Sequence, residues 1–154
     1  MFKIITVNTE TEYAEASSLF KEYAEWLNID LSFQNFAEEL LQLKEMYSNP
    51  NGAIFLLQQG EDFIGCVAIR KKEEGIAELK RMYIKPTTRK TGGGTLLLEK
   101  ALVAAKRLGY KLIRLDTLSN MTPAINLYKK HGFYEIQPYY FNPQKNAVFF
   151  EKEL

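Results

Sequence analysis

The sequence predicts a mixed α/β fold: a single domain over residues 1–154, built on one central, mostly antiparallel sheet of six to seven strands with helices on both faces. Three observations predict it. Residues 53–58, 63–70 and 76–84 are strand-like runs whose joints, Gly60-Glu61-Asp62 and Glu73-Glu74-Gly75, are turn sequences, so they form an antiparallel meander. Before them, apolar residues recur at three- and four-residue steps, the spacing of a helix face. After them, helix and strand signals alternate to the end of the chain.

Taken in order, residues 4–7 make a short strand. Thr9-x-x-Glu12 has the form of a capping box, and Tyr13, Ala16, Phe20, Tyr23 and Leu27 then line one face of a first helix. Ser32 is expected to cap a second helix, on which Phe36, Leu40, Leu43 and Tyr47 share a face. Asn49-Pro50-Asn51-Gly52 ends it in a turn. The meander comes next. Leu97, Ala101, Ala104 and Leu108 mark a further helix; Lys106 and Arg107 suit the dipole of its last turn, and Gly109 stops it. Residues 111–117 form a strand, and a last helix ends at His131-Gly132. Residues 133–136 and 147–151 are the closing strands, joined by a loop rich in Tyr, Pro and Asn.

Composition bounds the function. The 154 residues carry 20 Lys and Arg against 19 Asp and Glu, a formal net charge of +1, so no whole-protein field favours nucleic acid or an anionic membrane. Lys71-Lys72 and Lys80-Arg81 read as short basic pairs on solvated surface. No apolar run reaches the length of a membrane span, and no signal-peptide core opens the chain. One cysteine, Cys66, excludes an internal disulfide and fits a reducing, cytoplasmic setting; its place mid-strand favours burial over nucleophilic duty.

Chemistry concentrates in Arg89-Lys90-Thr91-Gly92-Gly93-Gly94-Thr95, which joins a strand to the first turn of a helix. A helix N-terminus offers unpaired N–H groups and a partial positive charge, and glycine lets a phosphate approach the backbone. The loop therefore reads as a pyrophosphate cradle. It has no Lys-Ser/Thr ending, so it is not a P-loop, and it lacks the Gly-x-Gly-x-x-Gly of dinucleotide folds. Its Arg-x-x-Gly-x-Gly order resembles the loop of the GCN5-related N-acetyltransferase (GNAT) family. Ala124-Ile125-Asn126-Leu127-Tyr128-Lys129-Lys130-His131-Gly132-Phe133 is similar to that family's Ala-Ile-x-Leu-Tyr-x-x-x-Gly-Phe segment, and Phe63-Ile64-Gly65-Cys66-Val67-Ala68-Ile69 to its glycine-bearing hairpin strand. The likeness spans the chain, weakly before about residue 50 and strongly from Glu78 to Phe133.

The resemblance implies acetyl transfer from acetyl-CoA to a primary amine by direct attack, with no metal. It implies a sheet splayed in its middle, where backbone groups around Met82, Tyr83 and Ile84 hold the pantetheine and polarise the carbonyl. Arg89, Lys90, Thr91, Gly92, Gly93, Gly94 and Thr95 would hold the pyrophosphate. Tyr128 would be the general acid toward the departing sulfur. Glu78, at the offset used by the histone-acetylating branch, would be the base, directly or through water; it could equally be a strand residue paired with Lys80 or Arg81. The family's asparagine seven residues before the tyrosine is replaced by Met121; either the loop is shifted so that Asn120, one residue earlier, substitutes for it, or that contact is missing. His131 reads as a helix C-terminal cap.

By the same resemblance the amine acceptor, whether a small molecule or a peptide or protein amine, would lie between residues 28–34 and 137–146. There Tyr139, Tyr140 and Phe141 could stack on a cation and Asp30, Glu22 or Glu25 could pair with it. Relatives commonly form homodimers, of which the sequence carries no sign of its own. Two alternatives remain: a non-catalytic acyl-CoA-binding sensor, which could dispense with Glu78 and Tyr128, and a nucleotide-dependent enzyme, which would want a metal site.

Overall fold

The computed structural model describes the backbone of residues 1–154 and every side chain but that of Phe33. Strand β1 (Phe2–Thr6) leads into helix α1 (Glu10–Leu27). The predicted capping box forms: Thr9 Oγ1 accepts the Glu12 N–H at 3.1 Å, and the Glu12 carboxylate accepts the Thr9 N–H at 3.1 Å. Asn28 ends α1 in the left-handed region, φ 55°.

The single helix expected after Ser32 is not present. A 3-10 turn at Ser32–Gln34 gives way to two short helices, α2 (Phe36–Leu41) and α3 (Leu43–Met46). Asn35 at φ 56° and Gln42 at φ −128° break the hydrogen-bond ladder, and no side chain caps either helix. The Ser32 N–H instead donates to Asp30 Oδ1 at 2.9 Å. An apolar repeat cannot reveal such breaks, because the residues at the breaks are polar and fall off the stripe.

The sheet contains β2 (Ala53–Gln59), β3 (Asp62–Glu73), β4 (Ile76–Ile84), β5 (Leu112–Leu118), β6 (Tyr134–Ile136) and β7 (Ala147–Glu153). With β1 it makes seven strands in the order β1-β2-β3-β4-β5-β7-β6. Every neighbouring pair is antiparallel except β4 and β5, which are parallel. Helix α4 (Gly93–Arg107) supplies the crossover that a parallel pair requires, and α5 (Thr122–Lys130) comes after β5. Pairing of β4 with β5 stops after Ile76↔Leu112, Ala77↔Ile113 and Glu78↔Arg114. Beyond Glu78 the two strands part, and the sheet opens in its middle.

Helices α4 and α5 cover one face, where Leu97, Leu98, Ala101 and Ala105 meet Leu57, Val67, Leu79 and Ile113. The buried stripe of α4 is turned slightly from the expected one: Leu98 and Ala105 are fully buried, Ala104 and Leu108 only in part. Helices α1 and α3 cover the other face, with Ala16, Leu19, Phe20, Leu43 and Tyr47 on Ile54, Leu56 and Ala68. No helix among the described residues is long and apolar enough to cross a membrane.

A bulge in β4 changes which way the last side chains of that strand face. Ala68 pairs with Lys80 but Cys66 with Tyr83, so β4 carries one extra residue, and Arg81 sits there at φ 57°. The Cys66 thiol donates to the Arg81 carbonyl at 3.2 Å. The structure corrects the view of Lys80-Arg81 as solvated surface. Lys80 is 8% exposed and Arg81 6%: alternation already sets Lys80 on the α1 side, opposite Ala68, and the extra residue brings Arg81 round to the same side.

Candidate active site

The glycine loop and the opening in the sheet lie next to one another. A 3-10 turn at Pro86–Thr88 carries the chain from β4 to Arg89. Lys90 at φ 67° and Gly92 at φ 91° reverse it onto α4. Thr91 Oγ1 donates to the Thr88 carbonyl at 2.6 Å, which holds the loop shape. No side chain caps α4 at Gly92, so its leading N–H groups, on Gly93, Gly94 and Thr95, are left for an external acceptor. Gly93 is forced by packing: a Cβ there would stand 2.5 Å from Leu57 Cδ2. Gly94 has ordinary room, against Leu127 and Met82.

Arg89 turns toward the protein. Its Nε donates to the Ile84 carbonyl at 2.9 Å, and its guanidinium lies 4.1 Å from the centre of the Trp26 ring. It therefore ties the loop to the end of β4, while Lys90, Thr91 and Gly92 are exposed. At that strand end Met82 and Ile84 pack on the α4 side, and Tyr83 is buried on the α1 side with its hydroxyl donating to Glu22 at 2.7 Å. No residue of β5 pairs with residues 79–84, so this edge of β4 has no strand partner.

Tyr128 projects from α5 into the α4-side core, 5% exposed, its ring 5.6 Å from Phe133. Burial, and then the neighbouring Tyr23 and Asp116, push its phenol above the ordinary tyrosine value. Tyr23 belongs to the opposite face of the sheet, so the opening lets these groups influence one another across it. Burial likewise pushes the Tyr23 phenol up to about 12.

On the α1 side of the opening lies a small pocket of about 60 Å³, walled by Ile29, Leu31 and Gln34 from one loop and by Asn142 and Gln144 from another. These are the two segments the sequence nominated for the acceptor. Lys80 and Asp116 reach the lining from β4 and β5. A polar network fixes it. Arg81 reaches Glu39 through two bonds of 2.9 and 2.7 Å and Gln34 Oε1 at 2.7 Å. Gln34 Nε2 donates to the Tyr140 hydroxyl at 2.8 Å, and that hydroxyl donates to Asp116 Oδ2. Asn142 Nδ2 donates to the same oxygen at 2.9 Å.

Glu78 stands outside this lining. It is 3% exposed, accepts the Tyr139 hydroxyl at 2.7 Å, and lies 4.0 Å from both Lys80 Nζ and Arg70 Nε. Burial and the Glu78 carboxylate push the Tyr139 phenol up. The structure thus brings Gln34, from the nominated 28–34 segment, together with Lys80 and Asp116, which the sequence did not single out for the pocket. Arg114 and Asp116 alternate with Ile113 and Leu115 in β5, which reads as any half-buried strand. Only the halt in β4–β5 pairing distinguishes Asp116.

Asn120 is exposed and accepts from Asn146 Nδ2 at 3.3 Å, while Met121, at the family's asparagine position, lines the pocket. His131 caps α5 as expected, its Nδ1 2.9 Å from the Leu127 carbonyl and its Nε2 3.1 Å from Glu99. Cys66 is fully buried, and burial pushes its thiol up. Among the described residues no group of three or more His, Cys, Asp or Glu could hold a metal ion.

Comparison with known proteins bears on the fold and the family. The family model described as "Acetyltransferase (GNAT) family" matches residues 17–133. An uncharacterized N-acetyltransferase of Schizosaccharomyces pombe is 35% identical over 154 aligned residues, covering 98% of this chain and 94% of that protein. A crystal structure of an acetyltransferase from Streptococcus agalactiae superposes with a TM-score of 0.82 at 21% identity, over 99% of this chain and 98% of that one. The PaiA N-acetyltransferase of Thermoplasma acidophilum, solved in complex with coenzyme A, gives a TM-score of 0.75 at 17% identity, over 100% and 99% of the two chains.

Proposed function

The chain belongs to the acetyltransferase (GNAT) family, and from that premise we propose that residues 1–154 act as one catalytic domain moving an acetyl group from acetyl-CoA to a primary amine. One observation carries the proposal: the uncapped N-terminus of α4 and the buried Tyr128 flank the same opening between β4 and β5. The pyrophosphate is assigned to the N–H groups of Gly92, Gly93, Gly94 and Thr95, with Lys90 and Thr91 beside them and Arg89 supporting the loop from below. The thioester arm lies along the unpaired edge at Met82, Tyr83 and Ile84, where free backbone N–H groups meet the developing oxyanion. A solved relative bound to coenzyme A supports the choice of cosubstrate. Asn120, held by Asn146, is assigned to the rim, next to Met121.

In the step itself the ammonium of the acceptor loses a proton and its lone pair attacks the thioester carbonyl. A C–N bond forms, the C–S bond breaks, and Tyr128 gives its proton to the sulfur. Buried and shifted upward, its phenol holds that proton throughout the neutral range. Asp116 is better placed than Glu78 to take the amine proton, because Asp116 lines the pocket and Glu78 lies behind Tyr139. Glu78 is accordingly assigned a positioning role, fixing Tyr139 and lending counter-charge to Lys80. The lone buried thiol suits a reducing cytoplasm.

Thermal unfolding with acetyl-CoA, beside ATP-Mg and NAD, tests the assignment. A ligand at about a hundred times its Kd adds roughly 2.7 kcal/mol, which for a domain of this size raises Tm by roughly 5–11 °C. A shift with acetyl-CoA alone, followed by thiol release with an amine, supports the enzyme. A shift without thiol release from any amine makes the protein an acyl-CoA sensor, and a larger shift with ATP-Mg overturns the cosubstrate.

A further inference from the structure

The pocket holds two opposite charges that are not paired with each other. Lys80 is 8% exposed, yet its Nζ makes one hydrogen bond, to Gln34 Oε1 at 3.3 Å, and Glu78 Oε1 stands beyond hydrogen-bond reach at 4.0 Å. Two of its N–H groups therefore have no acceptor among the described residues. Asp116 uses Oδ2 for both Tyr140 and Asn142, and its Oδ1 has no described partner. Continuing the register of Glu78↔Arg114 by two residues sets Lys80 opposite Asp116, across the gap where pairing has ceased. Arg81 differs, since Glu39 and Gln34 already occupy its guanidinium.

A buried ammonium with donors to spare is costly unless something supplies the missing acceptor. We infer that the acceptor is a free α-amino acid, its ammonium held at Asp116 and its carboxylate at Lys80. This rests on the acetyltransferase assignment and narrows it. An α-amino acid carries both ligand groups on one carbon, so a single small molecule can meet both side chains of the pocket. Leu27, Ile29 and Leu31 on the pocket wall suit an apolar side chain. A polyamine or aminoglycoside would bring further cations against Lys80 and Arg81, and a peptide N-terminus or a protein lysine would bring no carboxylate. Asp116 takes the proton from the ammonium, and the amide product no longer carries the positive charge that Asp116 held. The carboxylate stays on Lys80 from substrate to product, unchanged in the reaction.

The test compares each of the common amino acids with its own carboxamide, together with L-leucine against 3-methylbutylamine, by thiol release from acetyl-CoA. An apolar amino acid is expected to exceed its amide in kcat/KM by about 10–100-fold, the worth of one hydrogen-bonded charge pair. Lys80→Met should collapse that ratio toward one, and Asp116→Asn, which removes both the counter-charge of the ammonium and its proton acceptor, should raise KM and lower kcat for the amino acid. Tm with coenzyme A and the preferred amino acid reports binding apart from turnover, and Tm of each unliganded variant reports its fold. A panel in which no amino acid outruns its amide overturns the inference, as does a Lys80→Met enzyme that keeps the ratio. If some amine still releases thiol from acetyl-CoA in that case, the acetyltransferase assignment stands; if none does, both fall.

Discussion

Replacing Tyr128 with phenylalanine removes one oxygen and leaves the rest of the residue in place. The ring keeps its contact with Phe133, 5.6 Å between centres, and its seat in the α4-side core. No described protein group bonds the hydroxyl, so its loss leaves no partner stranded, and deleting a polar atom in that position is close to neutral for folding. Tm should move by less than about 2 °C, the equivalent of roughly 0.5 kcal/mol or less. Turnover should behave otherwise. A general acid contributes about 10²–10⁴-fold, so the variant should lose about 3–5 kcal/mol of transition-state stabilisation with little change in the KM for acetyl-CoA. Because burial raises the phenol above its ordinary value of 10.0, the wild-type enzyme should show no alkaline loss from this group below pH 10. The assay is thiol release across pH 6–10, paired with thermal unfolding of both proteins. Full turnover by Tyr128→Phe at every pH refutes the general-acid role. A fall in Tm large enough to account for the lost activity refutes the separation of folding from chemistry.

Three further outcomes rest on the same geometry. Arg89→Ala removes the guanidinium that ties the glycine loop to Trp26 and the Ile84 carbonyl; since that contact orders the loop and does not itself hold the ligand, the coenzyme KM should rise by up to about tenfold, with kcat at saturation little changed, and an unchanged KM contradicts the supporting role. Glu39→Ala strands the buried Arg81, 6% exposed and held by two bonds; about 3–5 kcal/mol should be lost, lowering Tm by roughly 6–20 °C, and a fall below about 3 °C contradicts it. Lys80 bears on pH. Desolvation, and then Arg81, lower its pKa from 10.5 against the opposing pull of Glu78, Glu39 and Asp116. The unfolded chain then binds the extra proton between the folded value and 10.5, so stability gains from this group as pH rises through that window and gains nothing more above it. Denaturant titrations of wild type and Lys80→Met should therefore differ by an amount that changes with pH up to about 10.5, and a pH-independent difference contradicts the shift.

How much of this the sequence shows depends on where the period of each element holds. The meander was legible because Gly60-Glu61 and Glu74-Gly75 stand between alternating runs, and β4 ends where Pro86 requires. The glycine loop was legible because Gly92 and Gly93 answer to backbone shape and to the approach of Leu57. The pocket on the α1 side was legible only as two loops. Of its charged residues, Arg81 was hidden by the bulge, and Lys80 and Asp116 by standing at ordinary strand positions. Simple alternation along β4 places Glu78, Lys80, Met82 and Ile84 on one face. The extra residue instead keeps Glu78 and Lys80 on the α1 side, adds Arg81 and Tyr83 to them, and sends Met82 and Ile84 to join Ala77 and Leu79 under α4. One local departure thus sets Arg81 beside Lys80 on a covered face, burying a second basic side chain that composition assigns to solvent. The clue was the basic pair itself. Lys80-Arg81 interrupts a run flanked by Leu79 and Met82 in the middle of a central strand, where two adjacent long cations cannot both reach water. A strand that carries them either frays or bulges, and the second outcome puts their charge where a ligand can use it.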